Sequence, residues 1–186
     1  MKEVLEKAYE RTMGRGKHEE LGDPYEVIAV KDRKNAKETT EVYMGRRGIE
    51  KLINFDHFMN LEVIWLNDNK LTKLEGLESN FRLKELYLHN NMIKSIDGCL
   101  PKLTHLRTVT LYNNSLSDLD VVLGHLKPLV YLNHLEMFDN PLSSEQHYRK
   151  RIVASLRYLT LLDRHSKIQI KNQKFQIWKD RSQTSS

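Results

Sequence analysis

The sequence predicts an α/β fold: a short right-handed solenoid of about five repeats, with a parallel concave sheet and a helical C-terminal cap. Three observations predict it. One eleven-residue pattern recurs through the middle of the chain at intervals of 22, 23 and 26 residues. Each copy alternates apolar and outward positions as a strand does, and carries asparagine at the same place. After the last copy, apolar residues continue at helical spacing.

Leu61, Ile64, Leu66, Asn69 and Leu71 fill positions one, four, six, nine and eleven of one copy. Leu83, Leu86, Leu88, Asn91 and Ile93 fill the next. Leu106, Val109, Leu111, Asn114 and Leu116 follow, then Leu132, Leu135, Met137, Asn140 and Leu142. A degenerate copy begins 22 residues upstream at Thr39, with Val42, Met44 and Ile49 in phase and Arg47 in place of asparagine. Terminal repeats deviate in this way when they cap.

Positions four and six share one face of a short strand because side chains alternate. A buried Leu or Ile contributes roughly 1.5–3 kcal/mol, yet one repeat cannot bury its own face, so the strands must stack. The asparagine turns the chain inward, and its amide is expected to bond backbone groups that would cost about 1–3 kcal/mol if orphaned. Asn69, Asn91, Asn114 and Asn140 are therefore structural. The returns Leu71, Leu74, Leu77 and Ile93, Ile96 suit 3₁₀ or irregular turns. The longest return predicts a helix capped by Ser117 or Asp118, with Leu119, Val122, Leu123 and Leu126 on one face and Pro128 as its stop. An open solenoid exposes its last apolar layer, so Tyr148, Ile152, Val153 and Leu156 are expected to form a covering helix; Arg149 is within reach of nearby carbonyls, although a solvated arginine is the commoner case.

Residues 39–165 resemble the 22-residue leucine-rich-repeat subclass typified by regulators of protein phosphatase 1. The ending Asn140-Pro141-Leu142, Tyr148-Arg149, Val153, Leu156, Leu159 and Leu162-Asp163 resembles the cap of the U2 small nuclear ribonucleoprotein A-prime, axonemal dynein light chain 1 and ciliary repeat families. The resemblance implies an adaptor without catalytic activity. Five repeats form a shorter arc than that of the phosphatase regulators.

Four regions are expected: a charged N-terminal helix or extended arm over 1–38, repeats over 39–142, a cap over 143–165 and a basic tail over 166–186. In the arm, residues 2–13 have a helical pattern, Asp23-Pro24 makes a turn, and the segment is expected to cover the first repeat. Residues 164–186 carry six basic residues and one acid, which accounts for the net charge of +5. No apolar run of ~18 residues is present, so no membrane span is expected, and the N-terminus does not read as a secretory signal. Cys99 is the one cysteine; it predicts no disulfide, a reducing intracellular setting and an inert core thiol.

Positions five and seven point onto the concave face. They place Tyr43, Trp65, Tyr87, Tyr112 and Phe138 on an aromatic diagonal, accompanied by Asn67, His89, His134 and Glu136. These residues are the expected partner-binding surface, since exposed aromatics concentrate binding energy. In the tail, Lys171, Lys174, Phe175, Trp178 and Lys179 are expected to meet an acidic partner such as tubulin, with RNA contact at most indirect. No phosphate loop, zinc spacing or nucleophile motif occurs, and His89 and His134 lie two repeats apart, too far to share a metal. The expectation is a cytoplasmic protein-binding adaptor without cofactor or membrane contact. Family analogy points to a ciliary axoneme, with a nuclear ribonucleoprotein subunit or a phosphatase regulator as the alternatives.

Overall fold

A computed structural model describes residues 20–165. After the short β1 (Leu21–Gly22), each repeat opens with a strand: β2 (Glu41–Tyr43), β4 (Val63–Trp65), β5 (Glu85–Tyr87), β6 (Thr108–Thr110) and β7 (His134–Glu136). β8 (Leu161–Leu162) completes a six-stranded parallel sheet in the order β2-β4-β5-β6-β7-β8. The register sets Val42, Ile64, Leu86, Val109, Leu135 and Leu162 in one row. All six are buried, and the returning segments close a continuous leucine core behind them.

The asparagines do more than turn their own repeat. Asn114 Nδ2 donates to the carbonyl of Leu111 in its own repeat and to that of Leu88 in the repeat before, both at 3.0 Å, while its Oδ1 accepts from Ile93 N–H. Asn91 and Asn140 repeat this reach backwards, to Leu66 and Leu111. Asn69 reaches Met44 O and accepts from the N–H groups of both Arg47 and Ile49. Arg47 stands in the repeat whose strand, β2, begins the six-stranded sheet, where among the described residues no earlier strand of that sheet offers a carbonyl to reach back to. The degenerate first copy follows from that geometry.

Position eight, between strand and asparagine, takes the left-handed backbone in every repeat. Arg46, Asp68, Asn90, Asn113 and Asp139 have φ between 53° and 60°, and four of the five are Asn or Asp, the non-glycine types that tolerate this region best. Returns differ in form: 3₁₀ turns occur at Phe55–His57 and Leu100–Lys102, whereas residues 71–82 are irregular.

The long return forms α1 (Leu119–Leu126), with the Asp118 carboxylate accepting from Val121 N–H and Leu119, Val122, Leu123 and Leu126 facing the core. It ends at Lys127, just before Pro128. α2 (Tyr148–Ser155) lays Ile152 and Val153 over the last repeat. Arg151 ties the two helices together through Asp120 and Glu145. Arg149 is neither among carbonyls nor simply solvated: it lies beside the Asp163 carboxylate at 3.9 Å and His165 Nδ1 at 2.9 Å.

Each end closes differently. Along the sheet, the position-six N–H of one repeat donates to the position-five carbonyl of the next, as Leu111 does to Glu136. At the last repeat Asp163 Oδ1 replaces that carbonyl and accepts from both Met137 and Phe138 N–H, at 2.8 and 3.2 Å. At the first, β1 pairs in parallel with β3 (Lys51–Leu52), and Tyr25, Val27 and Ile28 pack against the core. The Tyr25 ring meets Phe58 edge-on at 5.0 Å. The rest of the arm to residue 38 runs in 3₁₀ turns; the helix expected over 2–13 lies outside the described residues.

Candidate functional site: the concave aromatic face

The strands that bury Ile64, Leu86 and Val109 must turn Trp65, Tyr87 and Thr110 the other way. Register aligns Tyr43 with Trp65 and Trp65 with Tyr87, so the three rings occupy one position on successive strands. Trp65 and Tyr87 lie parallel within 3° at 5.5 Å, and Tyr43 tilts toward Trp65 at 6.2 Å. Gly45 makes room for the Tyr43 ring: a Cβ there would meet the phenolic oxygen at 3.0 Å. Tyr43 is 56% exposed, and Trp65 and Tyr87 are half-buried.

The expected single diagonal is in fact two columns. Tyr87 aligns with Thr110 rather than with an aromatic residue, and the rings resume at position seven. His89 stacks on Tyr112 at 4.5 Å, and Tyr112 on Phe138 at 4.6 Å with 7° between planes. These distances are close to the ~4.8 Å between strands, so each ring overlaps its neighbour like a tile. Offset stacking of this kind adds about 0.5–1.5 kcal/mol per pair beyond area burial.

Two residues at outward positions of their strands, Thr110 at position five and Asn67 at position seven, are not open. Thr110 is 4% exposed, and its hydroxyl lies 2.9 Å from His89 Nδ1, so the imidazole covers it. Asn67 is 8% exposed and donates to Asp68 at 2.6 Å. A short side chain between larger neighbours is roofed over even at an outward position. Glu136 and His134 meet at 3.2 Å on the remaining part of the face.

The groove's flank was not legible from spacing. Asp68 accepts from Asn90, Asn67 and Arg46, and Asn113 extends the row by donating to Asn90. The Asn90 hydrogen bond foremost, with those from Asn67 and Arg46, holds the Asp68 carboxyl below its ordinary range. Burial lowers the pKa of His89 despite the nearby Asp68 and Glu136 carboxylates. Burial, then the 2.6 Å hydrogen bond to Glu85, pushes the Tyr87 phenol up to about 12.

Arg164 is the residue that the sequence reading missed. Its backbone is left-handed, at φ 64°, directly after the left-handed Asp163. That double turn carries the guanidinium over Phe138 at 4.7 Å and over Tyr112 at 5.6 Å. An arginine after an aspartate carries no signal by itself; the reversal at Asp163 aims it. The tail residues Lys171, Lys174, Phe175, Trp178 and Lys179 lie outside the described residues.

Among the described residues, no group of three or more His, Cys, Asp and Glu is placed to hold a metal ion, and no helix is long and apolar enough to cross a membrane. Cys99 is buried, its thiol donating to Leu74 O at 3.3 Å, and burial pushes its pKa up to about 12. The arrangement offers an aromatic surface ordered by stacking.

Comparison with known proteins agrees with this architecture. A family model described as leucine-rich repeat matches residues 48–184. Leucine-rich repeat-containing protein 23 of Bos taurus is 33% identical over 101 residues, which are 54% of this chain and 29% of that protein. U2 small nuclear ribonucleoprotein A' of Homo sapiens is 36% identical over 109 residues, 55% of this chain and 40% of that one. The chain thus spans well under half the length of these relatives. A chain in the crystal structure of the Drosophila melanogaster SNF/U2A' complex superposes with a TM-score of 0.61 at 28% identity, covering 72% of this chain and 79% of that one. By its repeat, its sheet and these matches, the chain belongs to the leucine-rich-repeat family.

Proposed function

We propose that this chain is a non-catalytic adaptor that holds a helix or loop of another protein in its concave groove. One observation carries the reading: two columns of stacked rings stand on the outer face of a sheet whose inner face is fully packed. Rings ordered before a partner arrives lose little side-chain freedom on binding, and truncating such anchors costs about 2 kcal/mol or more. The test is affinity capture with quantitative mass spectrometry, comparing the parent chain with a Trp65→Ala/Tyr87→Ala variant. The variant loses the captured partner while its circular dichroism melt stays close to the parent's. Unchanged capture by the folded variant overturns the proposal.

An axonemal setting, with the basic tail against an acidic surface such as tubulin, rests on the resemblance to dynein light chain 1 and the ciliary repeat proteins. A second reading is a ribonucleoprotein-type subunit that grips a partner's RNA-recognition domain. The likeness to the SNF/U2A' complex, which covers most of both chains, favours it. Fluorescent tagging in ciliated cells separates the two: axonemal signal supports the first and nuclear speckles the second.

A further inference from the structure

The two aromatic columns differ in what lies on them. Over Tyr112 and Phe138 sits the guanidinium of Arg164, 4.7 Å from the nearer centroid. Over Tyr43, Trp65 and Tyr87 no cation lies among the described residues. Yet this second column is the better receptor for one. Trp has the strongest cation-binding face of any side chain, and Trp65 lies parallel to Tyr87 at 5.5 Å beside the exposed ring of Tyr43. Two carboxylates flank it. Glu41 and Glu85 occupy the position-three row on either side of Val63, two residues before Tyr43 and Tyr87 in their strands. Glu85 is held in place by the Tyr87 hydroxyl on Oε2, and Oε1 makes no hydrogen bond among the described residues.

We propose that Tyr43, Trp65 and Tyr87, with Glu85 and Glu41, form a binding site for an arginine side chain of the partner protein. The guanidinium lies on the Trp65 and Tyr87 rings, as that of Arg164 lies on Phe138 and Tyr112, and donates at its edge to Glu85. Arginine is favoured over lysine because its planar group stacks and donates at the same time, whereas an ammonium is a compact, strongly hydrated charge. Charge complementarity points the same way. Basic groups of the same repeats are paired, Arg46 with Asp68 and Lys84 with Glu62, and among the described residues neither Glu41 nor Glu85 has an ion-pair partner.

This assignment rests on the concave-face reading and is tested separately from it. The full chain carrying Trp178→Phe keeps Trp65 as its one tryptophan. Its fluorescence is followed while short alanine-rich helical peptides are added, identical except for arginine, lysine or glutamine at two positions one turn apart. The arginine peptide is expected to shift Trp65 emission and bind at least about tenfold more tightly than the glutamine peptide, with lysine between them. Glu85→Gln, a surface change that leaves the core intact, is expected to remove most of that preference. Equal binding of the three peptides, or an arginine preference unmoved by Glu85→Gln, overturns the assignment. If Trp65→Ala abolishes partner capture while Glu85→Gln leaves it intact, the adaptor reading stands and the arginine site falls.

Discussion

Leu86 and Tyr87 are neighbours in one strand and opposites in environment, as are Val42 and Tyr43 and Ile64 and Trp65. On the inner face, Leu86 is fully buried between Ile64 and Val109. On the outer face, Tyr87 touches Trp65 and Glu85 and remains half open. The inner rows hold the molecule together, and the outer rows carry the surface proposed for binding. A solenoid separates these duties cleanly because each repeat contacts only its neighbours.

The comparison is broken most severely from inside. Leu86→Ala removes a side chain from the middle of the core row and is expected to cost about 2–5 kcal/mol in urea unfolding. Asp163→Ala comes next. It takes one acceptor from two N–H groups at the sheet's edge, at about 1–3 kcal/mol, and it also releases the turn that aims Arg164. The outer face should answer differently. Tyr43→Ala, at an exposed ring with one tilted neighbour, is expected to shift stability by no more than about 0.5 kcal/mol while weakening partner capture. If Tyr43→Ala proved as destabilising as Leu86→Ala, the division between the faces would be wrong.

Two smaller effects sharpen the picture. Burial lowers the pKa of His89 in the folded chain, so the unfolded chain takes up a proton first. Its contribution to stability is present above the ordinary imidazole pKa of about 6.5 and is lost as pH falls from there toward the lower folded value. Denaturation measured as a function of pH should show this slope, and His89→Gln should flatten it. Cys99, with its thiol raised to about 12, should resist alkylation at neutral pH until the chain is unfolded. Rapid labelling of the native chain would contradict its place in the core.

Much of this was legible because a repeat reports the same residue several times. The buried rows, the helix over 119–126 and the cap helix all follow from apolar spacing; a cap at Ser117 or Asp118 follows from their place before that helix, and the structure selects Asp118. The asparagines could be read as structural, but their backward reach could not: Asn114 bonds Leu88 O across 26 positions of sequence. That reach adds a physical reason to the deviation at Arg47, which the sequence allowed to be read only as that of a terminal repeat. On the concave face, alternation placed the rings outward correctly and placed Thr110 and Asn67 there too. Both are covered, because exposure depends on the size of neighbouring side chains as well as on direction.

The sequence by itself determined the repeat, the parallel stack and the set of residues that turn away from the core, since these depend on local periodicity and on the need to bury leucine. Only the tertiary structure decided how the outward residues combine. It divided five aromatics into two columns, set Asp68 among Asn67, Asn90 and Arg46, and brought Arg164 back over Phe138. Apart from Asn67 with Asp68, those contacts join residues from different repeats or from a repeat and the cap, and their geometry comes from strand spacing and left-handed turns that no single repeat specifies alone.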